Sequence, residues 1–185
     1  MFTPRKVAQM AAYLARQQGG RINILKLMKL LYLADRESMS RYGEPISFDR
    51  FVSMDQGPVL TQTLDLINGS YPEHISAAWE EWISDRENHL IACNREFERS
   101  DLDHLSDADL EVLESVWRTF GDMNQWELRD YTHQNLPEWQ DPQGSSIPIQ
   151  EAEILRAVGI DSDEATELEN EIKTEHELDR LMARM

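Results

Sequence analysis

The chain has one cysteine, Cys93, in 185 residues. A single thiol excludes an internal disulfide and any multi-cysteine zinc or iron–sulfur site, and it fits a reducing compartment. Long apolar runs are also missing. No stretch approaches the roughly 20 residues that span a bilayer, and Met1 to Ala12 places Arg5 and Lys6 without a pure apolar core behind them. Neither a signal peptide nor a membrane span is expected, and a cytoplasmic protein is. Basic residues are scarce, with 18 Lys and Arg against 35 Asp and Glu, a net charge of -17 and a pI near 4.6. Such a chain is repelled by nucleic acid, so no independent nucleic-acid binding is expected.

Catalytic signatures are missing as well. The histidines (His74, His89, His104, His133, His176) are scattered, with no H-E-x-x-H pair and no carboxylate at ligand spacing. There is no G-x-S-x-G elbow, no Walker loop and no G-x-G-x-x-G run. Cys93 beside Ile91 and Ala92 reads as a small core residue. The expectation is a protein that is not an enzyme and that holds no cofactor and no metal.

What is present supports an ordinary core: 41% of residues are hydrophobic and 29% charged. Charge is uneven, since Met1 to Arg50 holds 9 basic and 4 acidic residues and Phe51 to Met185 holds 9 and 31. Such an acidic body suits a basic partner, or simply solubility.

The local patterns predict a mainly α (α+β) fold: a compact helical domain with a small β-hairpin or short edge strands, plus an acidic C-terminal helix. Thr3-Pro4 predicts a helix start and Gly19-Gly20 its stop. Asn23 caps a second helix to about Arg41, closed by Gly43. Its apolar residues cover most of the wheel, which makes it the central buried helix, and Lys26, Lys29, Arg36, Glu37 and Ser40 form one narrow polar stripe. Glu44 to Asp55 reads as an extended connector or edge strand. Gly57-Pro58 predicts a third helix, ending at Asn68-Gly69. Residues 74–93 suit either a helical face or a hairpin, and the hairpin is the reading taken. Ser106 with Asp109, and Asn124 with Glu127, are capping boxes that start two helices. Pro148 predicts a short helix to Val158. Asp161 with Glu164 caps a last helix, Ser162 to Met185, with 8 acidic and 3 basic residues and no strict heptad. The domain reading is residues 1–160 as one body and 161–185 as an acidic helical extension.

Two polar groups invite a functional reading. Asp35-Arg36-Glu37 sits at the end of an apolar helix, where a solvated stripe is the plain account. In Tyr131 to Trp139 (YTHQNLPEW), a histidine near a helix C-terminus and a tryptophan at the core edge are the plain account.

Taken together, LKLMKLLYLAD (Leu25 to Asp35), the Tyr42 to Ile46 turn, MDQGPV (Met54 to Val59), Leu105-Ser106-Asp107 and Thr132-His133 to Trp139 resemble the Panacea antitoxin domain, also described as SocA-like or phage-associated GepA-like. The resemblance covers roughly Thr3 to Val158. It implies an antitoxin of a toxin–antitoxin system that neutralises a cognate protein toxin, encoded by the adjacent gene, through direct protein contact. It implies no catalytic residues. An adaptor that delivers a bound protein to a protease is the alternative. The candidate partner-binding residues are Lys26, Lys29 and Arg36 of the stripe with the Gln56-Gly57-Pro58 turn, because polar residues on a mostly buried helix need either solvent or a partner.

Overall fold

A computed structural model describes residues 1–84 and 86–182. Among these, eight α-helices carry more than half of the chain, with one two-stranded and one three-stranded sheet between them. The mainly α reading with short strands holds.

Helix α1 (Pro4–Gln17) starts where its cap predicts, with the Thr3 hydroxyl accepting from the Lys6 N–H at 3.3 Å. Strand β1 (Arg21–Asn23) leads into α2 (Ile24–Tyr42), whose first free N–H groups, on Leu25 and Lys26, are taken by Asn23 Oδ1. Leu27, Leu30, Leu31, Tyr32 and Ala34 of α2 have no exposed surface. Helix α1, α5 (Asp107–Phe120), α6 (Gln125–Asn135) and α7 (Glu151–Ala157) all pack on α2. A helix covered from so many sides must be apolar around most of its circumference. Both predicted capping boxes are present at α5 and α6, with reciprocal bonds between Ser106 and Asp109 and between Asn124 and Glu127.

The Gly57-Pro58 step does not open a helix. Strands β2 (Phe51–Met54) and β3 (Gly57–Leu60) form an antiparallel hairpin, and β5 (Ile147–Ile149) joins the other side of β2. Pro58 and Pro148, both expected at a first helical turn, therefore sit on the two edge strands, the other place where a missing N–H is tolerated. Helix α3 (Thr61–Ile67) starts after β3, and its cap is remote: Asp49 accepts from the N–H groups of Gln62 and Thr63, each at 2.8 Å, and from the Thr63 hydroxyl. Helix α7 likewise begins after β5, with a capping box from Gln150 and Glu153.

Residues 74–93 divide. Helix α4 (Glu73–Glu80) takes the first part and buries Trp79, which corrects the hairpin reading there. A hairpin follows, with bridges Ile83 to Cys93 and Glu87 to Leu90, and its strand β4 (Leu90–Ala92) pairs with β1.

Helix α8 (Ser162–Met182) docks on α7. Ala165 and Ile172 are buried, and Leu168 covers Gly43, where an added Cβ would lie 3.0 Å from the leucine. Leu178 and Leu181 stay exposed. The expected last turn of this helix, 183–185, lies outside the described residues.

Candidate functional site

Lys26, Lys29 and Arg36 of the α2 stripe turn inward, whereas Ser40 is exposed and Glu37 pairs with Arg41 at the surface. Lys29 has no exposed surface, and its ammonium donates to the Pro58 carbonyl at 2.7 Å; burial pushes its pKa down to about 7. Lys26 is buried too, donating to the Gly121 carbonyl at 2.5 Å and lying 5.2 Å from the centre of the Trp117 ring, and burial lowers its pKa. Arg36 Nε pairs with Glu138 Oε1 at 2.8 Å, an oxygen that also accepts from the Tyr32 hydroxyl at 3.1 Å. The partners these residues need are intramolecular. Asp35 behaves likewise: fully buried, it accepts from both the N–H and the hydroxyl of Ser47, and burial raises its pKa to about 7.

These contacts bring the three motif segments together. Gly57 has φ +96, and a Cβ there would lie 2.7 Å from Thr132 Oγ1 and 2.9 Å from Lys29 Nζ, so only glycine lets α2 and α6 close on the hairpin. Trp139 Nε1 donates to the Met54 carbonyl at 3.2 Å, and the His133 ring stacks on Trp139 at 3.9 Å between centres. Burial, followed by the charge of Lys29, lowers the His133 pKa. LKLMKLLYLAD, MDQGPV and YTHQNLPEW thus form one internal joint that clamps the hairpin and fixes where its tip, Asp55-Gln56, projects.

Beside that tip runs an open groove of about 880 Å³. The start of α2 supplies Ile24, Leu25 and Met28, the hairpin supplies Met54, Asp55, Gln56 and Val59, and α6 supplies Gln125, Trp126 and Arg129. The far wall is the β4 hairpin turn with Arg86, Asn88 and His89. Asn88 and His89 have φ +50 and +63, residue types that tolerate the left-handed region, and the His89 carbonyl accepts from the Ile24 N–H at 2.9 Å, which ties this turn to α2. Trp126 is 52% exposed, and the Arg129 guanidinium sits 5.1 Å from the centre of its ring.

Of the six candidate residues, Gln56 lines the groove, while Lys26, Lys29, Gly57 and Pro58 are buried and Arg36 is held by Glu138. Sequence reasoning passed over Trp126, Arg129 and Arg86. A signal existed for the tryptophan: the Asn124–Glu127 box fixes the phase of α6, and Trp126 lies about 160° round the wheel from the inward Leu128. Among the described residues no group of His, Cys, Asp and Glu is placed to hold a metal ion, and no helix is long and apolar enough to cross a membrane.

Residues 27–140 match the family described as Antitoxin SocA-like, Panacea domain. No curated protein and no solved structure matches the chain.

Proposed function

Since this chain belongs to the SocA-like antitoxin family built on the Panacea domain, we propose that it is an antitoxin that binds a protein toxin and neutralises it by direct contact. The observation that carries this reading is the family match itself, which runs from within α2 to the segment just past Trp139 and so takes in all three parts of the buried joint. In this reading the protein works in the cytoplasm as a binding protein, without catalysis or cofactor, and its toxin is encoded by the adjacent gene. The acidic surface, with a net charge of -17, favours a partner of the opposite sign over most of the contact.

The test is to express the neighbouring gene alone and together with this chain. Arrest by the neighbour alone, rescue by co-expression and a co-purifying complex at unchanged toxin level are the expected results. A harmless neighbour overturns the reading. Rescue that depends on loss of the toxin protein identifies a delivery adaptor instead of an occluding antitoxin.

A further inference from the structure

We propose that the groove between the start of α2, the β2–β3 tip and α6 grips the partner protein, and that its occupant is an apolar segment of that partner carrying a carboxylate. The proposal rests on the antitoxin reading only for who the partner is; the chemistry of the occupant comes from the groove.

Two features set this groove apart. Its floor is apolar and adaptable, with Met28 and Met54 beside Ile24, and Trp126 stands at its edge half-exposed. Tryptophan provides a large contact area at low entropy cost and dominates many interfaces, and thioether side chains repack around different partners. The backbone of Trp126 is already fixed, since its N–H donates to Asn124 Oδ1 at 2.9 Å within the α6 cap.

The charge of the walls runs against that of the chain. In a protein of net charge -17, the charged side chains lining the groove are Arg86 and Arg129 against Asp55. Arg129 spends Nε and Nη2 on one oxygen of Asp130, which leaves further guanidinium N–H groups for a second carboxylate. Arg86 Nη1 donates to Asn68 Oδ1, a neutral acceptor, and among the described residues it makes no ion pair. A purely apolar occupant would strip water from these cations without replacing it, and a basic one would be repelled. An acidic apolar segment satisfies both walls. A second copy of this chain is the main competitor, because the far end of α8 exposes Leu178 and Leu181 among acidic residues.

The experiment pans a phage-displayed random peptide library on the full-length protein and measures the selected peptides by fluorescence polarisation at two salt concentrations. The expected peptides combine apolar residues with Asp or Glu, bind about tenfold or more weakly to Trp126→Ala and to Arg129→Glu, and lose affinity with salt. Both substitutions are on solvent-facing side chains, and an unchanged unfolding midpoint confirms that each variant is folded. Failure to select any peptide, selection of peptides without acidic residues, or equal binding by the variants overturns the proposal. So does self-association of the wild type in sedimentation velocity that Trp126→Ala abolishes, which gives the groove to a second copy. A harmless neighbouring gene product sinks the antitoxin reading and leaves the peptide result standing, so the two failures are told apart.

Discussion

Lys29, on the central helix, holds the edge strand β3 by donating its ammonium to the carbonyl of Pro58, and it does so with no exposed surface. The joint between α2 and the β2–β3 hairpin is therefore built on a buried cation, and its strength depends on proton binding.

Burial lowers the Lys29 pKa to about 7, whereas a lysine of the unfolded chain titrates near 10.4. Between these values the unfolded chain holds more protons, so stability rises with pH from about 7 to about 10, and the cost of burying the charge is fully present below 7. Asp35, raised to about 7 from 3.8, gives the opposite slope on the acid side: there the folded state holds more protons, and stability falls as pH rises through that range. Lys29→Met should reduce the alkaline rise, to which Lys26 also contributes, and Asp35→Asn should reduce the acid-side fall, to which buried Asp49 also contributes. Urea midpoints taken between about pH 5 and pH 10 measure both, and a wild-type curve that is flat above pH 7 contradicts the lysine assignment.

Gly57→Ala is expected to destabilise through the same joint. The new methyl would lie 2.7 Å from Thr132 Oγ1 and 2.9 Å from Lys29 Cε, at a backbone φ of +96. Strain and overpacking together amount to about 2–5 kcal/mol. Gly19→Ala, at φ +95 but in open space, carries the backbone penalty alone and serves as the reference. Equal midpoints for the two variants would show that the close approach at Gly57 costs nothing.

Local chemistry made much of the helical frame legible. Thr3, Asn23, Ser106 and Asn124 each announce a helix through a cap that lies within three residues of the groups it satisfies. Proline was ambiguous for a physical reason: Pro58 and Pro148 suit a first helical turn and an edge strand equally, and the choice is made by strand β2, which pairs with both. The cap on α3 comes from Asp49 across the hairpin, and no local window contains it. The groove was the least legible part, because Met28, Arg86 and Trp126 meet only after the β4 turn and α6 are both seated on α2. The stripe was read as needing either solvent or a partner, and a wheel cannot say whether a neighbour in the same chain provides one, as it does for Lys26, Lys29 and Arg36.

Arg36 is an example. Its guanidinium pairs with Glu138, whose side chain has no exposed surface and also accepts from Tyr32. Arg36→Glu sets two carboxylates together in the interior and is expected to cost about 3–5 kcal/mol, so charge reversal here acts on folding before it acts on any partner. Tyr32→Phe removes one hydrogen bond, at about 0.5–1.5 kcal/mol. Replacing both Arg36 and Glu138 by leucine should recover much of the loss, because no unpaired charge remains buried. Chemical denaturation of the single and double variants decides it; additive losses would show that the pair is not coupled.

The last test separates the two halves of α8. Ala165 and Ile172 are buried and Leu168 covers Gly43 at the end of α2, whereas Leu178 and Leu181 are exposed. Truncation after Thr174 keeps the docked face and should leave the unfolding midpoint unchanged. Truncation after Asp161 strips the apolar cover from Gly43 and is expected to lower stability by about 1.5–3 kcal/mol for each large apolar side chain lost. A truncation after Asp161 as stable as the full chain would show that α8 contributes nothing to the body. Because the longer deletion removes packing and charge together, it cannot report on electrostatics. Replacing the exposed Glu164, Glu167 and Glu171 by glutamine removes charge alone. With a basic partner these substitutions should leave stability intact, slow association and flatten its dependence on salt, since screening acts over about 10 Å at 0.1 M. Identical salt slopes for the glutamine variant and the wild type would assign the acidic face of α8 to solubility.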